Sequence, residues 1–493
     1  MLLRIDEQGP LPIHRQIYEQ IQTMIQTHAL LPGAKLPSTR QLANTLNIHR
    51  STVAIAYQEL WASGQIHLDP RRCPTVRARE QVSIRKESAE DSTISWIPAY
   101  NAASSAALES YHALRNELRS TDPSAINFSR LSLDTRLFPM ESFRSTLHRV
   151  MMEGDAGIFG YVDSEGYRPL REWVSRHLKG RGINASPEEI MITNGSQHSF
   201  DLILRLLATP GGSVAIESPT YDEIFPLLRL AGLRPIGIPM LADGMDLSVL
   251  ADVLQRERPV LVYTMPSFQN PTSISTSQQH RERLLALCMQ HRVPILEDGF
   301  EEDMKYFGRA VLPIKSMDSE GLVFYCATLS RVLFPGLRIG WLVAHRECID
   351  HLASVRHYTG LSSSGLLQAA VHTFGVDGSL DRHISRMHRV FRRRMQTAIR
   401  VLHRDIPTTW AEWDDPSGGY LIWLRLRPTK APVEWDAILT KHRIKAVLGD
   451  RFFTSPQPNT YLRLSIAGLN EEEITEGIRR LAVALAEVYG GDD

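Results

Sequence analysis

Two hydroxyl side chains and two arginines seven positions apart stand together in the stretch Ala327-Thr328-Leu329-Ser330-Arg331-Val332-Leu333-Phe334-Pro335-Gly336-Leu337-Arg338-Ile339-Gly340-Trp341. Hydroxyl donors and a fixed guanidinium at the end of a strand suit an anionic phosphate group. A second stretch offers similar chemistry from the backbone. In Ile192-Thr193-Asn194-Gly195-Ser196-Gln197 a glycine turn leads into an apolar run, Phe200 to Leu207, that reads as a helix. Unpaired amides at such a helix start, with the helix dipole behind them, attract an anion. A strand-to-helix turn that merely needs a glycine has the same appearance.

The elements that must hold these groups are legible in outline. Leu322-Val323-Phe324-Tyr325 and Trp341-Leu342-Val343-Ala344 read as buried strands flanking the first stretch, and Val293-Pro294-Ile295-Leu296 as another. From about residue 125 onward, helical and strand patterns alternate, which predicts an α/β domain with a mainly parallel sheet. A chain of 493 residues is too long for one small core, so two or three domains are expected. Basic and acidic residues balance at 55 each, and 43% of residues are hydrophobic, as in an ordinary globular protein. There is no run of 18 apolar residues and no signal-peptide profile at the start, so a cytoplasmic protein without a membrane partner is expected. Cys73, Cys288, Cys326 and Cys348 are scattered and offer no metal spacing, so no metal site is expected.

The N-terminal segment follows a different pattern. Ile13, Ile17, Ile21 and Ile25 recur every four positions and predict one amphipathic helix, stopped by Pro32-Gly33. Ser38 with Gln41 three residues on has capping-box spacing and opens a second helix carrying Leu42 and Leu46 inward. A third runs from about His49 to Ser63, with Val53, Tyr57 and Leu60 on one face. Two short alternating runs, Ile66-His67-Leu68 and Thr75-Val76-Arg77-Ala78, then form a ribbon. Three helices and a β-ribbon make a winged helix-turn-helix whose third helix enters the DNA major groove. The first 80 residues hold nine basic against six acidic residues, an excess that also suits a helical module for protein contacts.

Leu36-Pro37-Ser38-Thr39-Arg40-Gln41-Leu42-Ala43, with His49-Arg50-Ser51-Thr52-Val53 and Ala56-Tyr57-Gln58-Glu59-Leu60, resembles the DNA-binding domain of the GntR regulators. The resemblance implies that Arg40, Arg50, Ser51 and Thr52 touch operator DNA. In place of the family's Gly-x-Gly-Thr wing tip stands Arg71-Arg72-Cys73-Pro74-Thr75, where Arg71 and Arg72 suit phosphate contacts. Residues 125–485 resemble the fold-type I aminotransferases, which depend on pyridoxal phosphate. The motifs are Phe138-Pro139, the Gly160-Tyr161 to Arg171 segment, Gly195-Ser196-Gln197, Pro219-Thr220-Tyr221, Asn270-Pro271, Glu297-Asp298-Gly299-Phe300, the 327–341 loop and Leu462-Arg463-Leu464.

By that resemblance Tyr221 stacks on the pyridine ring, Asn270 binds its phenolic oxygen and Asp298 pairs with its nitrogen. Gly195, Ser196, Gln197, Thr328, Ser330 and Arg338 surround the phosphate, joined by Tyr161 from a neighbouring subunit. Arg463 clamps a ligand carboxylate. Taken singly, Asp298 also suits a strand-end cap, Arg338 a surface ion pair and Tyr221 a core aromatic. A GntR-type domain joined to an aminotransferase-like domain resembles the MocR transcription factors, which implies a homodimer.

Two positions depart from the aminotransferase pattern. Arg331 stands where the family has the lysine that binds the cofactor covalently, and Phe300 where it has a tyrosine. A guanidinium stays protonated with delocalised lone pairs, so it neither attacks an aldehyde nor shuttles a proton readily. The expectation is therefore no catalytic residue, with pyridoxal 5′-phosphate held non-covalently at most and Arg331 as one of its contacts. The expected organisation is a winged domain at 1–79, a semi-ordered tether at 80–124, a large domain at 125–375 and a small domain at 376–493. The expected function is a transcriptional regulator whose aminotransferase-like domain senses a small-molecule effector. The alternatives are a working aminotransferase with an appended DNA-binding domain, or a regulator whose second domain is only scaffold.

Overall fold

The computed structural model describes residues 3–6, 9–27, 29–69, 72–77, 101–119 and 122–490, which fall into two compact units, Met1–Pro98 and Ala99–Asp493. In the first unit the four-residue spacing yields the helix Ile13–Gln26, with Ile17 and Ile21 fully buried. The helix Thr39–Leu46 starts at Ser38, whose hydroxyl accepts from the Gln41 amide while the Gln41 side chain accepts from the Ser38 amide. That reciprocal cap satisfies two donors that would otherwise be orphaned. Arg50–Ala62 is the third helix, and Val53, Ala56, Tyr57 and Leu60 close the core between the three. Burial of Val53 and of Leu60 each contributes on the order of 1.5–3 kcal/mol. Ile66–His67 pairs antiparallel with Thr75–Val76 as the wing.

The second unit is built on an eight-stranded sheet. Its strand order is Ile190–Thr193, Gly340–Val343, Val323–Thr328, Ile295–Asp298, Leu261–Thr264, Ser213–Ser218, Arg234–Leu241 and Gly244–Met245. The strands from Val323–Thr328 to Arg234–Leu241 pair in parallel. Gly340–Val343 lies antiparallel between its two neighbours, and Gly244–Met245 closes a hairpin. Fully buried apolar strands are what a sheet covered on both faces requires. A smaller antiparallel sheet orders Ala411–Glu412, Leu421–Leu426, Tyr461–Ser465 and Val447–Leu448, and the long helix Ser379–Asp405 packs on Glu471–Tyr489. Ile126–Asn127, at the start of the α/β region, pairs in parallel with Ile444–Lys445 and so ties the opening segment to the C-terminal part.

One expectation needs correction. The stretch expected as a tether contains a helix, Ala102–Arg119, whereas residues 78–100 lie outside those described. Asn101 accepts from the Ser104 amide at 2.7 Å, and Arg229 donates to the Ser110 hydroxyl at 2.8 Å. The helix packs against Ile224–Leu230. Alanine is the strongest helix former, so a Ser/Ala-rich composition that lacks periodic large apolar residues still supports a helix once a neighbour offers a surface.

Candidate functional site

A cavity of about 300 Å³ opens at the carboxyl ends of the parallel strands. Nine of the residues expected at the site line it: Ser196, Gln197, Tyr221, Asn270, Asp298, Thr328, Ser330, Arg331 and Arg338. They arrive from five different strand ends, which is where an open parallel sheet places its ligand crevice. At one wall Gly195 takes φ +97° and opens the helix Ser196–Leu207. A Cβ there would lie 3.3 Å from Arg338 Nη2 and 3.5 Å from Thr328 Oγ1, so a glycine lets these groups crowd the helix start. Arg338 sits in the left-handed region at φ +51° and donates from Nη2 to the Asn194 carbonyl at 2.6 Å. Thr328 Oγ1 accepts from the Ser330 amide at 3.2 Å, which turns the chain so that the Ser330 side chain faces the cavity.

Three buried polar atoms on these walls have no hydrogen-bond partner among the described residues: Ser196 Oγ, Ser330 Oγ and Asp298 Oδ1. A buried polar group left unmatched costs about 1–3 kcal/mol, so three at one cavity mark a place built for a ligand. The other oxygen of Asp298 accepts from the Tyr263 hydroxyl at 3.3 Å. Burial pushes the Asp298 carboxyl up to about 7, against the opposing pull of the Tyr263 hydroxyl and the charge of Arg331. The Tyr221 hydroxyl donates to Gln197 Oε1 at 3.4 Å, and Gln197 Nε2 in turn donates to the Glu223 carbonyl at 3.3 Å.

The remaining wall belongs to Arg331. Its Nη1 donates to the Leu131 carbonyl, its guanidinium lies 6.0 Å from the centre of the Phe300 ring, and its own carbonyl accepts from Tyr420 at 2.8 Å. Glu301, buried beside it, has a carboxyl pushed up to about 8 by burial, with Arg331 pulling the other way. Leu131, Ser132, Phe200, Met265 and Pro335 also line the cavity and were not expected. Apart from Pro335, which lies in the recognised loop, they are ordinary residues on other segments, with no local signal to single them out. Glu301 was legible as a second carboxylate beside the Asp298 motif but was not singled out.

Three expected residues stand elsewhere. Gly195 contributes backbone and does not line the cavity. Tyr161 is 83% exposed and takes no part in this chain's cavity. Arg463 is 5% exposed and lies behind the wall, donating to Asn270 Oδ1 at 3.2 Å and to the Ser129 carbonyl at 3.0 Å, with Phe452 4.9 Å below. In the first unit Arg40, Arg50 and Ser51 are exposed and Thr52 is half-buried. Arg50 Nε donates to the Thr39 hydroxyl at 3.2 Å, which holds the starts of the second and third helices together. Arg72 is exposed and lies 3.9 Å from Asp69, and Arg71 falls outside the described residues. Among the described residues no cluster of three His, Cys, Asp or Glu suits a metal, and no helix is long and apolar enough to cross a membrane.

Residues 126–481 match the aminotransferase class I and II family, and residues 13–76 match the bacterial regulatory proteins of the gntR family. The chain is 30% identical over 482 residues, 97% of each chain, to the uncharacterized HTH-type transcriptional regulator YdfD of Bacillus subtilis (strain 168). It is 28% identical over 495 residues to the probable rhizopine catabolism regulatory protein MocR of Rhizobium meliloti, covering 98% of this chain and 96% of that one. Among solved structures, the α-aminoadipate aminotransferase of Thermus thermophilus, complexed with N-(5′-phosphopyridoxyl)-L-leucine, superposes with a TM-score of 0.74 at 30% identity. That alignment covers 80% of this chain and all of the aminotransferase. With a gntR-type winged helix-turn-helix at one end and an aminotransferase class I and II fold filling the rest, the chain belongs to the MocR-type transcriptional regulators.

Proposed function

We propose that this regulator reads operator DNA through Arg40, Arg50, Ser51 and Thr52, and that its aminotransferase-like domain is a non-catalytic sensor of a phosphorylated pyridine. The observation that carries the sensor reading is the pairing of a polar cradle with an arginine where an amine is needed. Ser196 Oγ, Ser330 Oγ and Asp298 Oδ1 are buried and unpartnered, and Arg338 stands over the same helix start. These residues fit pyridoxal 5′-phosphate: hydroxyls, amides and Arg338 for the phosphate, Asp298 for the ring nitrogen, Tyr221 for the ring face. When bound, that group supplies an electron sink for carbanion chemistry. Arg331 neither captures its aldehyde nor moves a proton, because a guanidinium keeps its charge at any ordinary pH. Anchored on Leu131 and Phe300, it holds a fixed cation in the cavity instead.

The protein acts as a homodimer on this reading. Tyr161 and Tyr358 are 83% and 88% exposed, and Met152 and Phe159 lie exposed in the same stretch as Tyr161. Ser164 donates to the Leu361 carbonyl at 3.3 Å, which links the segments that carry Tyr161 and Tyr358. Large apolar side chains exposed on a lone chain suit a second copy, which on this reading also brings Tyr161 to the phosphate.

Borohydride treatment in the presence of pyridoxal phosphate, followed by mass spectrometry, tests the sensor. The expected result is reversible binding with no cofactor mass retained on the chain, and a retained adduct removes the reading. For the DNA end, Arg50→Ala and Arg40→Ala are each expected to weaken operator binding by about tenfold or more in a gel shift at fixed salt. Unchanged affinity in both variants removes those side chains from the interface.

A further inference from the structure

The cavity is lined by two guanidinium groups, Arg331 and Arg338, and by one acidic side chain, Asp298. Neither arginine forms an ion pair with a carboxylate among the described residues. Each is instead tied to a backbone carbonyl, Arg331 to Leu131 and Arg338 to Asn194, and these carbonyls belong to different walls. A phosphorylated pyridine alone leaves this arrangement unbalanced. Its phosphate answers Arg338 and its protonated nitrogen answers Asp298, which leaves no ligand anion for Arg331. Glu301 is a weak counter-ion, since its Oε2 already accepts from the Tyr420 amide at 3.1 Å and burial pushes its carboxyl up to about 8. A cation held in a partly enclosed cavity without a partner is costly, and an anionic group on the ligand relieves that cost.

The arginine expected to meet a ligand carboxylate does not line the cavity. Arg463 instead donates from its two terminal nitrogens to Asn270 Oδ1 and to the Ser129 carbonyl. Arg331 uses Nη1 for Leu131, and among the described residues no hydrogen bond takes its Nε or Nη2, which leaves one edge of the planar fork that grips a carboxylate with two parallel bonds. Building on the sensor reading above, we infer that the cavity takes a ligand with two separated anions, a phosphopyridoxyl compound that already carries an amino-acid carboxylate, and that Arg331 is the receptor for that carboxylate. The substitution that removes covalent capture thus sets ligand selectivity, favouring an amino-acid adduct over the bare phosphorylated pyridine.

A matched pair of stable probes tests this by calorimetry on the full-length protein. N-(5′-phosphopyridoxyl)-L-leucine has the carboxylate, and N-(5′-phosphopyridoxyl)isoamylamine lacks only that group. Wild type is expected to bind the first about tenfold more tightly or better, the range for a charge-assisted bidentate contact. Arg331→Gln is expected to reduce the ratio to near one by weakening the carboxylate probe alone, and Arg331→Lys to retain part of it. Arg463→Gln is expected to leave the ratio standing. Equal affinities in wild type overturn the inference while leaving the sensor reading intact, and need no variant to fold. A ratio that survives Arg331→Gln and disappears in Arg463→Gln also overturns it, assigning the carboxylate to Arg463. Failure of both probes to bind wild type removes the sensor reading and this inference together.

Discussion

The two ends of the cavity have been treated differently. At the end proposed for the phosphate, Gly195, Ser196, Thr328, Ser330 and Arg338 form a cradle in which the Ser196 and Ser330 hydroxyls have no partner among the described residues. At the other end Arg331 is held by one nitrogen on the Leu131 carbonyl, with its guanidinium 6.0 Å from the centre of the Phe300 ring. Binding chemistry and reaction chemistry therefore separate within one site. A phosphate is recognised by many weak donors spread over several strand ends, so no single change removes it. On the proposed reading, covalent capture depends on one amine, so one substitution abolishes it. A regulator needs only the first.

The sharpest way to break this contrast is to give the second end its amine back. Arg331→Lys together with Phe300→Tyr is expected to convert reversible binding into a borohydride-stable adduct on residue 331, visible by mass spectrometry after proteolysis. Persistent absence of that adduct, with binding intact, means that the surroundings of residue 331 and not its side chain prevent capture. Next in size is the phosphate end. Arg338→Gln is expected to weaken both phosphopyridoxyl probes equally, by roughly ten- to a hundredfold, as befits loss of a charged hydrogen-bond donor. A selective effect on the carboxylate probe alone contradicts the division of labour between the two arginines.

Asp298→Asn is expected to cost less, about tenfold, and to remove a pH dependence. With the Asp298 carboxyl raised to about 7, the ionised form that receives a protonated ring nitrogen gains population between pH 6 and 8, so wild-type affinity rises over that window. The variant retains only the smaller rise due to the phosphate itself. An unchanged slope in Asp298→Asn detaches this residue from the ring.

The smallest effect concerns stability without ligand. Glu217, Glu297 and Asp298 are raised to about 7 and Glu301 to about 8, all primarily by burial. Each binds its proton more tightly folded than unfolded. The stabilisation is thus complete below about pH 4 and is lost as pH rises through 7 and 8. The melting temperature of the second unit is expected to fall by several degrees from about pH 5.5 to pH 8, as read by scanning fluorimetry. A melting temperature that climbs over that interval overturns this account of the buried carboxyls.

Much of the architecture was legible because it depends on neighbours in the chain. The Ser38–Gln41 cap, the four-residue spacing of Ile13, Ile17 and Ile21, and the apolar strand before Asp298 are set within a few residues. The order of the strand-end motifs was likewise enough to bring nine residues to one cavity. The helix Ala102–Arg119 escaped the same treatment, since its alanines carry propensity without periodicity and its docking surface lies on the helix Ile224–Leu230. Tyr161 and Arg463 stand in motifs of the aminotransferase pattern, but motif alone does not place them. Whether a side chain lines a cavity depends on which wall closes over it.

From the sequence alone came the two-part organisation, the winged domain, the strand-end residues that meet at one cavity and the arginine at position 331. Only the tertiary structure decided what that arginine touches. The Leu131 carbonyl that holds Arg331 lies 200 residues earlier, and the Ser129 carbonyl that engages Arg463 lies 334 residues earlier. Local sequence specifies which groups carry charge and hydrogen-bonding capacity, because that is a property of each residue and its turn. Which of those groups the folded chain consumes, and which it leaves for a ligand, depends on contacts between distant segments that exist only once the sheet has brought them together.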